Sequence, residues 1–307
     1  MNLDELLALG RPPEPIDLSD EELVKFFWKY KGLLKKWDRA NAYWATTNQN
    51  LRVAYEKLDQ KEQELARAIA TIQEDLSVAS QIQQTLMPRT RETLDGTLDV
   101  AIFHKQLTEV GGDYYDFFRT KGGHRAIGVF DISGHGVSAA LVMAYLKAQF
   151  TQIMDRFESP REIVEWGNAA SYNFLREVKK YATVNFVVFR EDHIRYVSGG
   201  GFGLLVHQGQ PHTFENRQHF LGLRHRSFKE YELPWSTGDL LVLYTDGIIE
   251  AQNNQVEDYT IRRLNQLVMR HATDPVQVIL DRCLKDYHEF RAQDTDDITL
   301  IVLRKNR

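Results

Sequence analysis

The sequence predicts an α+β protein with largely antiparallel sheets, preceded by a helical N-terminal region. Three observations lead there. No proline occurs between Ile16 and Met87, and that stretch carries helix-like spacing. After residue 95 the texture changes to short β-branched and aromatic runs bounded by Gly, Asp or Asn. Those runs are interrupted by pairs of helical stretches, with connections too short for a repeated βαβ pattern.

Along the chain, residues 1–16 read as loop, with Pro12, Pro13 and Pro15. Ser19-Asp20-Glu21-Glu22 has the capping-box form and predicts a helix start, with Gly32 only a weak interruption. The aromatics Phe26, Phe27, Trp28, Tyr30, Trp37, Tyr43 and Trp44 are expected to pack internally, the alternative being a partner-binding face. From residue 51, Leu51, Leu58, Leu65, Ile72, Ala79 and Leu86 recur every seven residues, with Tyr55, Glu62, Ile69, Leu76 and Gln83 between them. This narrow stripe predicts a coiled coil and a homodimer through residues 51–86, weakened at Glu62 and Gln83; the alternative is one intramolecular amphipathic helix. Pro88 ends the helix. The predicted division is an N-terminal helical region (1–50), a coiled-coil linker (51–88) and an α+β domain (89–307).

In the last region, strands are predicted at 97–103, 113–119, 125–132, 183–190, 193–198, 203–207, 229–233, 239–245 and 297–304. Helices are predicted at 137–155, 160–179, 258–271 and 275–291.

The composition bounds the function. The 307 residues are 43% hydrophobic and 26% charged, a globular balance. With 38 Lys and Arg against 43 Asp and Glu, the net charge is −5, which argues against general nucleic-acid binding. Cys283 is the sole cysteine, so neither an intrachain disulfide nor a thiolate zinc cluster is expected. The lack of a long apolar run or a basic, apolar leader leads to the expectation of a cytoplasmic protein without a membrane span.

The informative residues are aspartates at strand ends. Asp113 follows Gly111-Gly112, Asp131 closes Ala126–Phe130, Asp246 follows Leu240–Tyr244, and Asp296-Asp297 opens the last strand. One Asp beside a Gly is an ordinary turn former, and Asp239 is read that way. Several carboxylates in one place repel unless a cation neutralises them, and all-oxygen donors suit Mg²⁺ or Mn²⁺. Two such ions can activate water and clamp a phosphoryl group.

The segments Glu109-Val-Gly-Gly-Asp-Tyr-Tyr-Asp116, Asp131-Ile-Ser-Gly-His-Gly136, Gly238-Asp-Leu-Leu-Val-Leu-Tyr-Thr-Asp-Gly-Ile-Ile-Glu-Ala251 and Asp296-Asp-Ile-Thr-Leu300 resemble the SpoIIE/RsbU branch of the metal-dependent protein phosphatases, the protein phosphatase 2C superfamily. Gln81–Pro88 resembles the helix leading into that domain, so the likeness spans about residues 78–304. The resemblance implies an αββα sandwich of two antiparallel sheets flanked by helices. It also implies hydrolysis of phosphoserine or phosphothreonine on a STAS-domain (anti-anti-sigma type) protein by metal-activated water. By matching motif, Asp113, Asp131, Asp246 and Asp296 would bind two Mn²⁺ or Mg²⁺ ions, with the carbonyl of Ile132 a further ligand and Asp297 competing with Asp296. Gly134, His135 and Gly136 would form the turn holding Asp131. Lys105 is a candidate for the substrate phosphate, its plainer reading being an exposed strand lysine.

Two departures bear on the substrate groove. Ser198-Gly-Gly-Gly201 stands where the family often has Asn-Ala-Gly-His, and Gln106-Leu107 replaces a frequent Pro-Ala. Two rival readings compete with this one. A diguanylate cyclase shares Gly111-Gly112-Asp113 but not the Tyr114-Tyr115 that follows. A pseudophosphatase scaffold would be marked by lost carboxylates. A regulator acting on the N-terminal helices is a further expected partner.

Overall fold

The computed structural model describes residues 19–88 and 96–306. The chain divides into two compact units, within residues 1–73 and 74–307. The first contains most of helix α1 (Asp20–Leu86), which Gly32 does not interrupt. Its start shows one half of the predicted box: the Ser19 amide donates to the Glu22 carboxylate at 3.1 Å, and the Ser19 hydroxyl donates to the same carboxylate at 2.9 Å. The predicted internal packing of the aromatics is not observed. Trp28 is 65% exposed, and Phe27, Tyr30, Trp37, Tyr43 and Trp44 are exposed as well; among the described residues their ring contacts are local ones along the same helix, such as Phe26 stacked on Tyr30.

The second unit is a sandwich. One sheet has the order β1 (Leu98–Lys105), β10 (Ile298–Lys305), β9 (Leu240–Tyr244), β6 (Phe202–His207), β7 (Gln210–Thr213). The other runs β2 (Tyr114–Arg119), β3 (Arg125–Ile132), β4 (Ala182–Phe189), β5 (His193–Gly199), β8 (Tyr231–Pro234). Every neighbouring pair is antiparallel. The helices are α2 (Val137–Thr151), α3 (Pro160–Glu177), the short α4 (Asp246–Ile249), α5 (Ile261–Arg270) and α6 (Val276–Phe290).

Strand alternation sorts the side chains into three cores. Tyr115, Phe117, Ile127, Val129, Leu241, Leu243, Ile301 and Leu303 meet between the sheets. Tyr114, Phe118 and Phe130 face the other way, against Met143, Leu146 and Phe150 of α2 and Ile163 of α3. Tyr244, Leu300 and Val302 pack on Leu264 of α5 and Ile279 and Cys283 of α6. The architecture is therefore αββα, as the resemblance implied.

Two elements escape the sequence reading. Strand β7 contains Pro211, which a central strand would exclude; it lies at the sheet edge, where a missing N–H does no harm. Helix α4 is a single turn of four residues, too short for periodicity to reveal. The second unit also begins before the predicted residue 89. Gln83 is buried, and Leu86 and Met87 pack against the α2 and α3 core. Gln83, expected on a coiled-coil seam, thus serves the sandwich.

Candidate metal centre

The alternation that builds the inner core also places the site. On β2 the inward residues are Phe117 and Tyr115, and two residues earlier comes Asp113. On β3 the inward set Ile127, Val129 continues to Asp131, inside the strand as predicted. On β10 Leu303 and Ile301 continue to Thr299 and then Asp297, and β9 continues to Thr245. Carboxylates and hydroxyls thus take over from the apolar core at one pole of the sandwich.

Asp113 and Asp297 are buried, and both accept hydrogen bonds. Asp113 Oδ2 accepts from Thr245 Oγ1 at 2.8 Å and from Thr299 Oγ1 at 2.6 Å. With Asp113 ionised both hydroxyls donate to it, and Thr299 Oγ1 takes a further bond from His104 Nδ1 at 3.0 Å. Burial pushes His104 down to about 4, so this imidazole is neutral at physiological pH. Asp297 Oδ1 accepts from the Leu107 amide at 2.7 Å, and its Oδ2 accepts from the Gly112 amide at 2.5 Å. Of the Asp296-Asp297 doublet, Asp297 therefore ties the loop before β2 to the start of β10, while Asp296 is half-buried and accepts from the Asp297 amide at 2.8 Å.

Close backbone approach makes this possible. A Cβ on Gly112 would lie 2.8 Å from the Ile132 carbonyl oxygen, and one on Gly247 would fall onto the Asp297 carbonyl. Gly134 and Gly136 both have positive φ and turn the chain from Asp131 into α2. His135 between them is exposed.

The open carboxylates sit in one another's fields. Burial, then the charges of Asp246 and Asp296, pushes Asp131 up to about 8. Burial, then Glu250 and Asp296, pushes Asp246 up to about 6. Burial likewise raises Asp296, and burial and Asp131 raise Asp113 against the pull of its two threonine hydrogen bonds. Among the described residues, no three carboxylate, imidazole or thiol groups already close on one coordination point. The donors instead face each other at the range where like charges repel. An all-oxygen donor set that a divalent cation would relieve fits Mg²⁺ or Mn²⁺ in kind.

Three contributors were not visible in the sequence. Thr245 and Thr299 orient Asp113; their signal was adjacency to Asp246 and Asp297, which looked like ordinary strand threonine. Gln83 spans Gly111, donating to its carbonyl at 2.8 Å and accepting from its amide at 3.1 Å, and so pins the loop carrying Asp113. Gln83→Ala leaves both buried backbone groups unsatisfied and is expected to destabilise the sandwich by about 1–3 kcal/mol, measurable by denaturant unfolding. Lys105 pairs with Asp294 at 2.6 Å. The cation on the Asp131 turn is Lys180, whose Nζ donates to the Ser133 carbonyl at 2.7 Å. Asp239 accepts from the Ser236 amide at 2.6 Å at the opposite pole, a structural turn residue.

An αββα sandwich whose inner core ends in carboxylates is the fold of the protein phosphatase 2C class. The SiaA-PP2C domain of Pseudomonas aeruginosa superposes with a TM-score of 0.71 at 22% identity, covering 78% of this chain and 99% of that one. The phosphatase domain of SpoIIE from Bacillus subtilis gives a TM-score of 0.58 at 18% identity, covering 67% and 63%. Residues 121–306 match the family model described as Stage II sporulation protein E (SpoIIE), and the chain belongs to that family. Phosphoserine phosphatase RsbU of Bacillus subtilis (strain 168) is 25% identical over 262 residues, 82% of this chain and 76% of RsbU. Phosphoserine phosphatase RsbP of the same organism is 22% identical over 238 residues, 75% of this chain and 57% of RsbP. No described helix is long and apolar enough to cross a membrane.

Proposed function

We propose that this chain is a metal-dependent protein phosphatase that hydrolyses phosphoserine or phosphothreonine on a STAS-domain protein in partner-switching signalling. The observation that carries the reading is the convergence of Asp131, Asp246 and Asp296 at one pole, where burial first and then the neighbouring carboxylates push Asp131 up to about 8. The names of RsbU and RsbP as phosphoserine phosphatases support it. Asp113, Asp131, Asp246 and Asp296, with the Ile132 carbonyl, are the residues that would hold two Mn²⁺ or Mg²⁺ ions. Bound there, the ions supply a water nucleophile at neutral pH and neutralise charge on the phosphoryl oxygens.

The chain's own residues divide the remaining work. Thr245 and Thr299 fix the rotamer of Asp113. Asp297 holds the backbone at Leu107 and Gly112, leaving Asp296 to face the ions. Lys180, beside the Asp131 turn, offers a positive charge toward an incoming phosphate. Nucleophilic catalysis by cysteine has no support: Cys283 is buried, and burial pushes its thiol up to about 12. The test is a substrate panel. Phosphate release from a phosphoserine STAS-domain protein is expected to exceed release from the isolated phosphopeptide. Equal rates would remove the STAS assignment while leaving the phosphatase in place.

The proposal includes a homodimer through residues 51–86 and regulation from the N-terminal helices. Leu51, Leu58, Leu65 and Ile72 are exposed along α1, an apolar stripe left uncovered among the described residues. The same stripe continues to Leu76, Ala79, Gln83 and Leu86, which are partly or fully buried in the second unit. A partner acting on the helix would therefore act on the Gln83–Gly111 contact. Leu65→Glu with Ile72→Glu is expected to sediment as a monomer with altered basal phosphate release. A wild-type chain that is monomeric at tens of micromolar would reduce the stripe to an intramolecular feature.

A further inference from the structure

Behind Asp113 runs a chain of hydrogen bonds that ends on a histidine. On β1, Leu98, Val100 and Ile102 pack into the core between the sheets, and His104 is the next residue on that face. It stands directly opposite Thr299 in the antiparallel register with β10, its Nδ1 3.0 Å from Thr299 Oγ1. Its ring meets Tyr115 edge-on, with centroids 5.6 Å apart. The other ring nitrogen, Nε2, is buried and has no hydrogen-bond partner among the described residues. A buried polar atom left unpaired is unfavourable, so for packing alone an apolar side chain would serve this row better.

What Nδ1 does is set the direction of a hydroxyl. A threonine hydroxyl has one hydrogen to give, and a metal-binding Asp113 is a carboxylate that can only accept. Thr245 Oγ1 accepts from the Thr299 amide at 2.9 Å, so its own hydrogen is left for Asp113 Oδ2. For Thr299 Oγ1 the corresponding donor is His104. An amide carries its proton permanently, whereas a neutral imidazole carries one proton on either of two nitrogens. With that proton on Nδ1, His104 donates and the Thr299 hydrogen goes to Asp113. With it on Nε2, the bare Nδ1 competes with Asp113 for the Thr299 hydrogen. Both threonine bonds fall on the same oxygen, Oδ2, so losing one loosens the rotamer of the carboxylate.

We infer that His104 is a positioning residue of the metal centre: as the Nδ1–H tautomer it directs the Thr299 hydroxyl onto Asp113 and thereby fixes the carboxylate that would bind the cations. This rests on the metal-centre reading of the acidic pole. Partners that orient metal ligands are typically worth about 10–100-fold in metal affinity, and His104, one bond further out, belongs at the lower end of that range.

The test is direct Mn²⁺ binding to the full chain by isothermal titration calorimetry. His104→Leu, which keeps the bulk and removes the donor, is expected to weaken Mn²⁺ binding about tenfold. His104→Asn, whose amide nitrogen takes the place of Nδ1, is expected to bind close to the wild type, and His104→Gln, whose amide reaches the place of Nε2, is not. In a Thr299→Val background His104→Leu is expected to cause no further loss, because the effect runs through Thr299. Nitrogen NMR of the histidine side chains in Mg²⁺, with His104 assigned by its absence from His104→Asn, is expected to show Nδ1 protonated and Nε2 bare. Should His104→Leu fail to fold, the comparison of Asn with Gln and the tautomer carry the test. Unchanged affinity in His104→Leu, His104→Asn binding no tighter than His104→Gln, a further loss in the Thr299→Val background, or a proton on Nε2 would each overturn the role of His104 and leave the metal centre standing. A wild-type chain that binds no Mn²⁺ would instead overturn the metal centre, and this role with it.

Discussion

Asp131→Asn is expected to abolish phosphate release while leaving the sandwich folded, and Asp246→Asn to do the same. Asn preserves the volume but removes the charge that holds the cations. The loss should exceed the roughly 10–100-fold typical of residues that merely support metal ligands. Steady-state phosphate release at saturating Mn²⁺, with circular dichroism to confirm folding, is the measurement. Retained turnover in either variant would remove that residue from the metal set. The contrast with Thr299→Val is informative, because Thr299 reaches the metal set through Asp113, to which its hydroxyl donates. That variant is expected to keep measurable turnover but to need more Mn²⁺ for half-maximal rate.

The same Asp131→Asn change is expected to stabilise the metal-free protein at alkaline pH. Asp131 is raised from the ordinary 3.8 to about 8 by burial and by Asp246 and Asp296. Between those values the folded state binds more protons than the unfolded chain, so stability falls as pH rises. The contribution is fully present below about 4 and is gone above about 8. Asp246 adds a narrower window, from 3.8 to about 6. At pH 8 the ionised Asp131 opposes folding, and its replacement by Asn should recover on the order of 2–4 kcal/mol after allowance for relaxation and water penetration. Denaturant unfolding in chelator at pH 5 and pH 8 checks both statements. Added Mn²⁺ should restore the wild type at pH 8 and leave Asp131→Asn unmoved, since a ligand stabilises only the state that binds it. A metal-free wild type more stable at pH 8 than at pH 5 would contradict the sign.

Much of this pole was legible because strand alternation and glycine placement are local. Asp113, Asp131 and Asp246 could be located from the apolar runs they follow or precede. The division of labour in the Asp296-Asp297 doublet could not, since it depends on which carboxylate the Leu107 and Gly112 amides reach, a contact across about 190 residues. Gln83 was misread for a related reason. A heptad shows which face of a helix is apolar, not what covers it, and a polar residue on that face looked like a flaw in a coiled coil. It proves to be a bridge to Gly111. The α1 aromatics show the same limit, because their spacing did not reveal that no second helix lies within the described chain to bury them. Strand β7 and helix α4 were too short, or too proline-bearing, for periodicity.

The central claim is that the acidic pole is a metal centre for phosphoserine hydrolysis. The most direct measurement is phosphate release from a phosphoserine STAS-domain protein by the full chain, titrated with Mn²⁺ after exhaustive chelation. Release that is absent in chelator, rises saturably with Mn²⁺ and leaves no phosphate covalently on the enzyme is the expected result. Release that persists unchanged in chelator, or a phosphoenzyme trapped on Cys283 or any aspartate, would contradict it.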